Sequence, residues 1–136
     1  APIVRLQDPD LVRTGLYVGA INLNSETPSA QIYTVDKIDI PNFVESYIEI
    51  DYKSSVPIKV ILTAYLRTGV VRSVELISIK ASDNSEENGW KKMYIFLAPT
   101  LESIPDAADY RLFLEASLPS GSPVGYVYID NMKVVH

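Results

Sequence analysis

Hydrophobic and polar residues alternate with a period of two along most of the chain, which is the pattern of a β-strand with one buried face. The segment 46–53 shows it most clearly, because Ile48, Ile50 and Tyr52 point to one side and charged or aromatic residues point to the other. Turn residues such as Thr68-Gly69 and polar loops separate the segments of this kind. The pattern predicts eight strands, at 15–24, 30–41, 46–53, 58–67, 70–80, 89–98, 110–119 and 125–135.

The last predicted strand, 125–135, organises the rest of the fold. It is strongly apolar, and the pair Asp130-Asn131 interrupts its alternation. A terminal strand this apolar has to be paired and buried, so we expect it in the middle of a sheet, beside the first strand. An Asp-Asn pair inside a strand is also a candidate for shaping a β-bulge.

Strands at this spacing, without helices between them, predict an all-β fold: an eight-stranded antiparallel jelly-roll β-sandwich with at most one short helical turn. In that wiring the first, eighth, third and sixth strands form one sheet, and the second, seventh, fourth and fifth form the other. We expect one domain over 1–136, with 1–13 as an extended lead-in that carries at most a short edge strand.

The pattern also makes local predictions about which residues face the core, where a strand bulges and where a helical turn lies. In the first strand we place Leu16, Val18, Ala20 and, after a slip, Leu23 toward the core. Near Leu76-Ile77 the alternation slips in a way that predicts a bulge. The one helical turn is expected within 99–109, with Thr100 as its cap and Glu102 near its positive end.

Composition narrows the functional classes. The net charge of −5 argues against nucleic acid, whose partners usually present a basic face. The absence of cysteine excludes disulfides and thiolate metal sites, and no apolar run is long enough for a transmembrane segment. The start of the chain does not have the pattern of a signal peptide, and we treat the chain as a mature secreted domain or a piece of a larger protein.

Catalytic groups are scarce, and this predicts that the chain is not an enzyme. The one histidine, His136, lies at the terminus, where it is a poor general base. Glu49 and Asp51 share one strand face at a spacing of about 6.5 to 7 Å, within the range of about 5 to 9.5 Å used by the carboxylates of glycosidases. Ordinary surface carboxylates explain the same pair, so a hydrolase is the weakest hypothesis.

Outward aromatic residues are the more informative feature. Sugar rings stack on flat aromatic side chains while polar neighbours bind their hydroxyls, so a strand face that mixes the two has the chemistry of a glycan site. The first candidates for ligand binding lie on the sheet that holds the second and seventh strands: Tyr33, Tyr65, Arg111 and Phe113. The outward aromatics of the other sheet are Tyr47, Trp90, Tyr94, Phe96, Tyr126 and Tyr128.

Two alternatives stay open for these aromatics. Tyrosine is favoured in half-exposed strands whatever the function, and an outward face can instead pack against a neighbouring domain or a protein partner. A register error of one residue would also move Trp90 and Phe96 into the core.

Two groups of oxygen-bearing side chains are candidates for calcium, which takes six to eight oxygen ligands, typically about 2.3–2.6 Å away. One brings Asp130 beside Asp8 or Asp10, provided that the terminal strands are neighbours. Neither group has the spacing of an EF-hand loop, and solvated loop or turn chemistry is the alternative for both. The second group is the polar loop with Asp83, Asn84, Glu86, Glu87 and Asn88.

The closing run YVYIDNMKVVH, the strand GWKKMYIFL and the eight-strand plan resemble the jelly-roll modules of the galactose-binding and carbohydrate-binding type. More closely, EIDYKS, WKKMYIFLAPTLE, YRLFLEASLP and VYIDNMKVVH, in this order, look like a group of poorly characterised secreted or cell-envelope lipoproteins of Bacteroidetes-type bacteria. The similarity spans about residues 13–136, and its motifs are structural.

The resemblance implies a non-catalytic module at a bacterial cell surface, secreted or in the cell envelope, with no required cofactor. In some sugar-binding jelly rolls an Asp at the position of Asp130 helps to bind a structural calcium, and Asp8 or Asp10 would be its partner here. The predicted function is glycan binding by stacking on outward aromatics. The alternative is a structural or adhesion module that docks against protein, or against neighbouring domains, through the same face.

Overall fold

The computed structural model describes residues 3–6, 17–34, 37–40, 45–81 and 91–135, and most of them belong to β-strands. A short helix, α1, covers Ala98–Ser103. The nine strands are β1 (Ile3–Leu6), β2 (Tyr17–Asn24), β3 (Ser29–Thr34), β4 (Tyr47–Ser54), β5 (Ile58–Leu66), β6 (Val71–Ile79), β7 (Lys91–Phe96), β8 (Ala107–Ser117) and β9 (Val124–Val135).

The strands form two sheets, with the order β1-β3-β8-β5-β6 in one and β2-β9-β4-β7 in the other. β2 to β9 are the eight predicted strands, and their division between the sheets confirms the predicted jelly-roll wiring. β1 lies at the edge of the five-stranded sheet, where the lead-in was expected to allow a short edge strand. It runs parallel to β3, so this pair departs from the antiparallel arrangement predicted throughout.

The core lies between the sheets and is built by the inward positions of each strand. The predicted inward residues of β4 are all buried: Ile48, Ile50 and Tyr52. The same holds for the inward positions of β5 and β8 that carry the centre of the five-stranded sheet, which are Ile58, Val60, Leu62, Ala64, Tyr110, Leu112, Leu114 and Ala116. Alternation along the sequence therefore translates directly into the two faces of each sheet.

The closing strand β9 lies between β2 and β4, which confirms its predicted central position. Its register against β4 shifts, because Asp51 is opposite Asp130 whereas Glu49 is opposite Lys133. The extra residue is a β-bulge at the Asp-Asn pair, and it changes the phase of the strand. Ile129 and Met132 are three positions apart, yet both are 1% exposed, because the bulge turns each toward the core.

The phase predicted for the first strand is wrong at Ala20, which is exposed while Ile21 is buried, but the inward position predicted for Leu23 is confirmed. Tyr17 is opposite Met132 and Gly19 is opposite Ile129, so this register shift comes from the additional residue of β9 and not from β2. Apolar residues occupy both phases of 16–21, so alternation alone does not decide which side of this strand faces the core. The expectations for Leu16 and Val18 fall outside the side chains that the structure describes.

The bulge predicted near Leu76-Ile77 is confirmed. Val60 is opposite Ile77 and Ile61 is opposite Glu75, so Leu76 is the additional residue of β6. This bulge keeps Ile77 and Ile79 partly buried against the core although β6 is the outer strand of its sheet.

The strand predicted at 30–41 is shorter in the structure, where β3 ends at Thr34. At this point the Thr34 hydroxyl accepts a hydrogen bond of 3.1 Å from the backbone N–H of Leu112, which replaces a ladder bond. Further along, Ile38 and Tyr110 form an isolated bridge. This bridge keeps residues 37–40 beside β8.

The predicted helical turn exists, but its predicted cap is wrong. α1 begins after Leu97, which makes no side-chain capping bond, and no acidic residue lies in its first turn. Thr100 is inside the helix, where its carbonyl accepts a hydrogen bond of 2.6 Å from the Ser103 hydroxyl. Glu102 lies in the last turn. Pro99 near the start of the helix and buried Leu101 position the turn instead.

In the part of the chain that the structure describes, no helix is long and apolar enough to cross a bilayer.

Candidate functional site

The four residues predicted to bind ligand lie together on the outer side of the five-stranded sheet. β3, β8 and β5 are neighbours there, with Tyr33 opposite Phe113 and Arg111 opposite Thr63. Since the inward positions of these strands fill the core, the alternate positions point away from it. We call this surface, with Tyr33, Tyr65, Arg111 and Phe113, the five-stranded face.

An aromatic pair forms the centre of this face. The rings of Tyr33 and Phe113 stack with their centroids 5.4 Å apart and their planes 23° apart. Ile61 of β5 is opposite Phe113 on the other side, so an apolar row crosses three adjacent strands. All three side chains are partly exposed. The row is therefore both fixed by its neighbours and accessible from solution.

Beside this row, two cations contact the ring of Tyr65. The Arg111 guanidinium carbon is 5.5 Å from the ring centroid, and Arg111 Nη1 donates a hydrogen bond of 3.2 Å to Tyr65 Oη. Lys37 Nζ lies 4.3 Å from the same centroid. Such cation–π contacts contribute about 0.5–1 kcal/mol at exposed sites. They hold Tyr65 in one orientation and place N–H donors next to an aromatic platform.

Sequence reasoning did not assign Lys37 to this face. Alternation with buried Ile38 and Ile40 predicts that Lys37 points outward, but the isolated bridge to Tyr110 brings it across to Tyr65. No local pattern signals a bridge between two segments so far apart in the chain.

Polar side chains continue the face toward β6. The Thr63 and Ser73 hydroxyl oxygens are 2.9 Å apart, and Lys59 Nζ lies 3.8 Å from Glu75 Oε1. Both partners of the Lys59–Glu75 pair are more than half exposed, and an exposed pair of this kind holds its partners weakly. Lys59 and Glu75 are therefore available to exchange partners with the hydroxyls of a ligand, whereas Thr63 is 6% exposed.

The outer side of the four-stranded sheet carries the second set of predicted aromatics, and we call it the four-stranded face. Tyr47 and Phe96 pack with centroids 5.1 Å apart, and so do Tyr126 and Tyr128. Tyr94 is 64% exposed. The prediction for Trp90 lies outside the described residues.

Glu49 lies in the middle of the four-stranded face but is only 8% exposed. Lys92 Nζ is 2.8 Å from its Oε1 and Lys133 Nζ is 3.1 Å from its Oε2. Lys92 also lies 3.7 Å from Asp51. The hydrogen bond from Lys92 is the largest cause that lowers the pKa of Glu49, followed by that from Lys133.

This geometry does not suit the hydrolase hypothesis for Glu49 and Asp51. A general acid of a glycosidase needs a raised pKa so that it carries a proton near neutral pH. The pKa of Glu49 is moved the other way, and both of its oxygens already accept a hydrogen bond or ion pair from a lysine. Glu49 acts as a counter-ion that joins β7, β4 and β9.

Only one ligand of the predicted calcium site at Asp130 lies among the residues that the structure describes. Asp130 is on β9, opposite Asp51, whereas Asp8, Asp10 and the polar loop 82–90 lie outside the described residues. Among the described residues, no three acidic or histidine side chains gather closely enough to hold a metal ion. Calcium binding by Asp130 with Asp8 or Asp10 therefore stays a prediction.

Comparison of the sequence with known families finds no family model that matches, and no curated protein matches either. Comparison of the fold gives matches among solved structures. A carbohydrate-binding module of family 28, specific for non-crystalline cellulose, superimposes with a TM-score of 0.57 at 14% identity, over 89% of this chain and 74% of that one.

Two further structures superimpose less well. The family 61 module TmCBM61, solved with β-1,4-galactotriose, has a TM-score of 0.48 at 14% identity over 88% of this chain and 70% of that one. The xylan-binding CBM22-1 domain of Paenibacillus barcinonensis Xyn10C has a TM-score of 0.49 at 14% identity over 70% of this chain and 56% of that one. At this identity the family 28 match establishes a shared jelly-roll β-sandwich fold. Function has to be inferred from the residues of each face, because one fold can serve many functions.

Proposed function

We propose that this chain is a non-catalytic binding module that recognises a glycan on its five-stranded face. One observation carries the proposal: the stacked, partly exposed Tyr33–Phe113 pair lies beside Tyr65, whose ring is held by Arg111 and Lys37. Aromatic surface next to oriented N–H donors is the combination that a sugar ring, apolar on its faces and polar at its edges, requires.

Two kinds of residue on this face would bind a sugar: aromatic residues that stack on its ring and polar residues that hydrogen-bond its oxygens. Tyr33 and Phe113 supply a flat apolar surface on two neighbouring strands, on which a sugar can stack. Arg111 and Lys37 supply donors for ring and hydroxyl oxygens, while exposed Ser73 supplies a hydroxyl that can both donate and accept. A ligand with many hydroxyl groups can therefore find both hydrogen-bond donors and acceptors on this face.

The family 28 module whose fold this chain shares is specific for non-crystalline cellulose, and this supports a polysaccharide as the ligand class. The proposal includes the location implied by the sequence resemblance, outside a bacterial cell or in its envelope, because polymeric glycans are met there.

The alternative function, docking against protein through the same face, has one observation in its favour. Val71 is opposite Tyr65 at the end of this face and is 57% exposed, and its neighbour Val70 is 52% exposed. Exposed aliphatic residues beside an aromatic platform are also typical of protein interfaces. Replacing Val71 by Ala separates the two functions, because a glycan stacked on Tyr33 and Phe113 does not need it.

Affinity electrophoresis tests the proposal directly. We expect a gel that contains soluble cellulose derivatives, xylan or galactan to retard the protein, and Phe113→Ala to weaken binding about three- to ten-fold, on the order of 1 kcal/mol. Val124→Ala is the matched control, because Val124 is an exposed apolar residue of β9, which belongs to the other sheet. Unchanged retardation of the Phe113 variant, or equal loss in the control, would contradict a site on the five-stranded face.

A further inference from the structure

We propose that the four-stranded face is a second binding surface, which takes an extended, uncharged polysaccharide chain independently of the five-stranded face. This goes beyond the proposed function, since the two faces are on opposite sides of the sandwich and share no residue. The proposal stands on the exposure of the aromatic rings, on their placement along the strands and on the balance of charge between them.

The aromatic rings of this face are more exposed than packing requires. Tyr94 is 64% exposed, Phe96 is 45% exposed and Tyr128 is 38% exposed. On β7 the inward side chain between Tyr94 and Phe96, Ile95, already fills the core. The outward rings therefore present apolar surface that the fold itself does not cover.

The register places these rings at both ends of one surface. Across β9, β4 and β7, Val135, Tyr47 and Phe96 form an apolar row, and Tyr94 follows in the next outward row, opposite Glu49. At the other end of β4, Lys53 is opposite Tyr128. Tyr47 and Lys53 are six positions apart in β4, which corresponds to about 20 Å. An extended chain that lies along β4 would reach aromatic surface at each end.

The charges between the aromatic rings are balanced and largely paired with one another. In β4, β7 and β9 the outward positions carry three lysines, Lys53, Lys92 and Lys133, and three carboxylates, Glu49, Asp51 and Asp130. Glu49 accepts from two of these lysines, and Lys92 also approaches Asp51. An anionic or cationic ligand would have to break these pairs. An uncharged one adds bonds to the remaining ammonium N–H groups.

The same charges argue against other occupants. Nucleic acid requires an excess of positive charge, which this face lacks. A second copy of the chain brings another net charge of −5, and β7, the edge strand of this sheet, carries Lys91 and Lys92, which discourage pairing of edge strands. A neutral partner with hydroxyl groups and apolar ring faces fits both the aromatic rows and the balanced centre.

The test uses variants of both faces and the same gels with hydroxyethyl cellulose, xylan or galactan. Phe113→Ala reports on the five-stranded face and Tyr94→Ala on the four-stranded face, and the double variant combines them. We expect Tyr94→Ala to weaken, by about three- to ten-fold, the retardation that the Phe113 variant retains. Thermal unfolding is expected to be unchanged in the Tyr94 variant, because the ring is exposed.

The outcomes separate the two proposals. If Tyr94→Ala alters binding in no background, or no polysaccharide of the panel retards any variant, the second surface is wrong. If Phe113→Ala has no effect while Tyr94→Ala removes binding, the four-stranded face is the site and the proposal for the five-stranded face is wrong. A concentration-dependent dimer that Tyr94→Ala dissociates would also overturn the inference, because the face would then be a protein interface.

Discussion

Glu49 is more buried than its outward position in the alternation of β4 predicts. It occupies an outward strand position and yet is 8% exposed, because Lys92 and Lys133 approach its two oxygens from the flanking strands. A buried carboxylate is costly unless it is paired, so the two lysines are a condition of the packing of this face. They join strands that are distant in the chain.

Replacing Glu49 by Gln is expected to lower the free energy of unfolding at pH 7 by about 1–2 kcal/mol, in the lower part of the range for charged hydrogen bonds because the lysines are partly exposed. Urea unfolding measures this. Glu102→Gln, at an exposed position of α1, is the control and should be neutral. Equal stabilities of the two variants would show that the cluster contributes nothing.

The same group predicts a pH dependence. The pKa of Glu49 in the folded protein lies below its ordinary value of 4.5, so its contribution is present above the pKa of the unfolded chain and is lost as the pH falls through the folded pKa. We expect wild-type stability to decrease below about pH 4.5 more steeply than that of the Gln variant. Parallel curves from pH 7 to pH 3 would contradict this assignment.

At Gly125 there is no room for a side chain unless the neighbouring residues move. A Cβ atom there would lie 2.5 Å from Val56 Cγ1 and 3.1 Å from Leu118 Cδ1. Gly125→Ala should therefore destabilise the protein by about 1–3 kcal/mol in chemical denaturation, as overpacking does. Adding Val56→Ala should recover part of the loss, since the two sites are coupled. Strictly additive effects would mean that this contact is not the cause.

At the scale of elements, the β-bulges determine which residues reach the core. The period of two is a local property, so alternation alone predicts the inward residues of β4 and β5, and the jelly-roll wiring follows from the number and spacing of the strands. The phase error at Ala20 arises because apolar residues occupy both phases of 16–21, so alternation alone does not decide which side of β2 faces the core. In β9 and β6, where Asp130-Asn131 and Leu76-Ile77 disturb the alternation visibly, the bulges are predicted correctly.

The candidate site shows the same division between what is local and what is not. Alternation places Tyr33, Tyr65, Arg111 and Phe113 outward, and the wiring places them on one sheet. Their contacts depend on residues far apart in the chain: Arg111 and Tyr65 are 46 positions apart, and Lys92 and Glu49 are 43 apart. Single-sequence patterns contain no information on such register, which is why the ion cluster and Lys37 were not predicted.

The hairpin between β5 and β6 depends on Gly69, whose φ is +91°. A side chain is strained in this conformation, by roughly 1–2 kcal/mol for most residues. Gly69→Ala is expected to lower stability by about this amount in urea unfolding, and Gly69→Asn by less, because Asn tolerates positive φ better. Nothing lies near a Cβ at this position, so a steric clash would not confuse the comparison. Equal losses for Ala and Asn would contradict the conformational explanation.

At the scale of the whole molecule, two sheets that share one core present two outward faces with different chemistry. The five-stranded face combines a stacked aromatic pair with cations held on Tyr65, while the four-stranded face has exposed rings on either side of a neutralised charge cluster. Since the inward residues build the core, exposed outward side chains such as Tyr94 can be replaced at little cost to folding. Binding and stability can therefore be tested separately.

Calcium binding by Asp130, with Asp8 or Asp10, is tested on the intact protein by thermal unfolding. A ligand that binds only the folded state stabilises it by about 2.7 kcal/mol when its concentration is 100 times the dissociation constant. We expect calcium to raise the melting temperature after chelation, and Asp130→Asn to remove the increment. An identical melting temperature with calcium and with chelator would contradict the site.

The most direct test of the proposed glycan binding is a titration of the isotopically labelled protein with a soluble oligosaccharide of cellulose, followed by NMR. We expect saturable changes in the amide signals of β3, β5 and β8 around Tyr33, Tyr65 and Phe113. Unchanged spectra throughout the titration, or changes that leave the signals of these three strands unaffected, would contradict a glycan site on the five-stranded face.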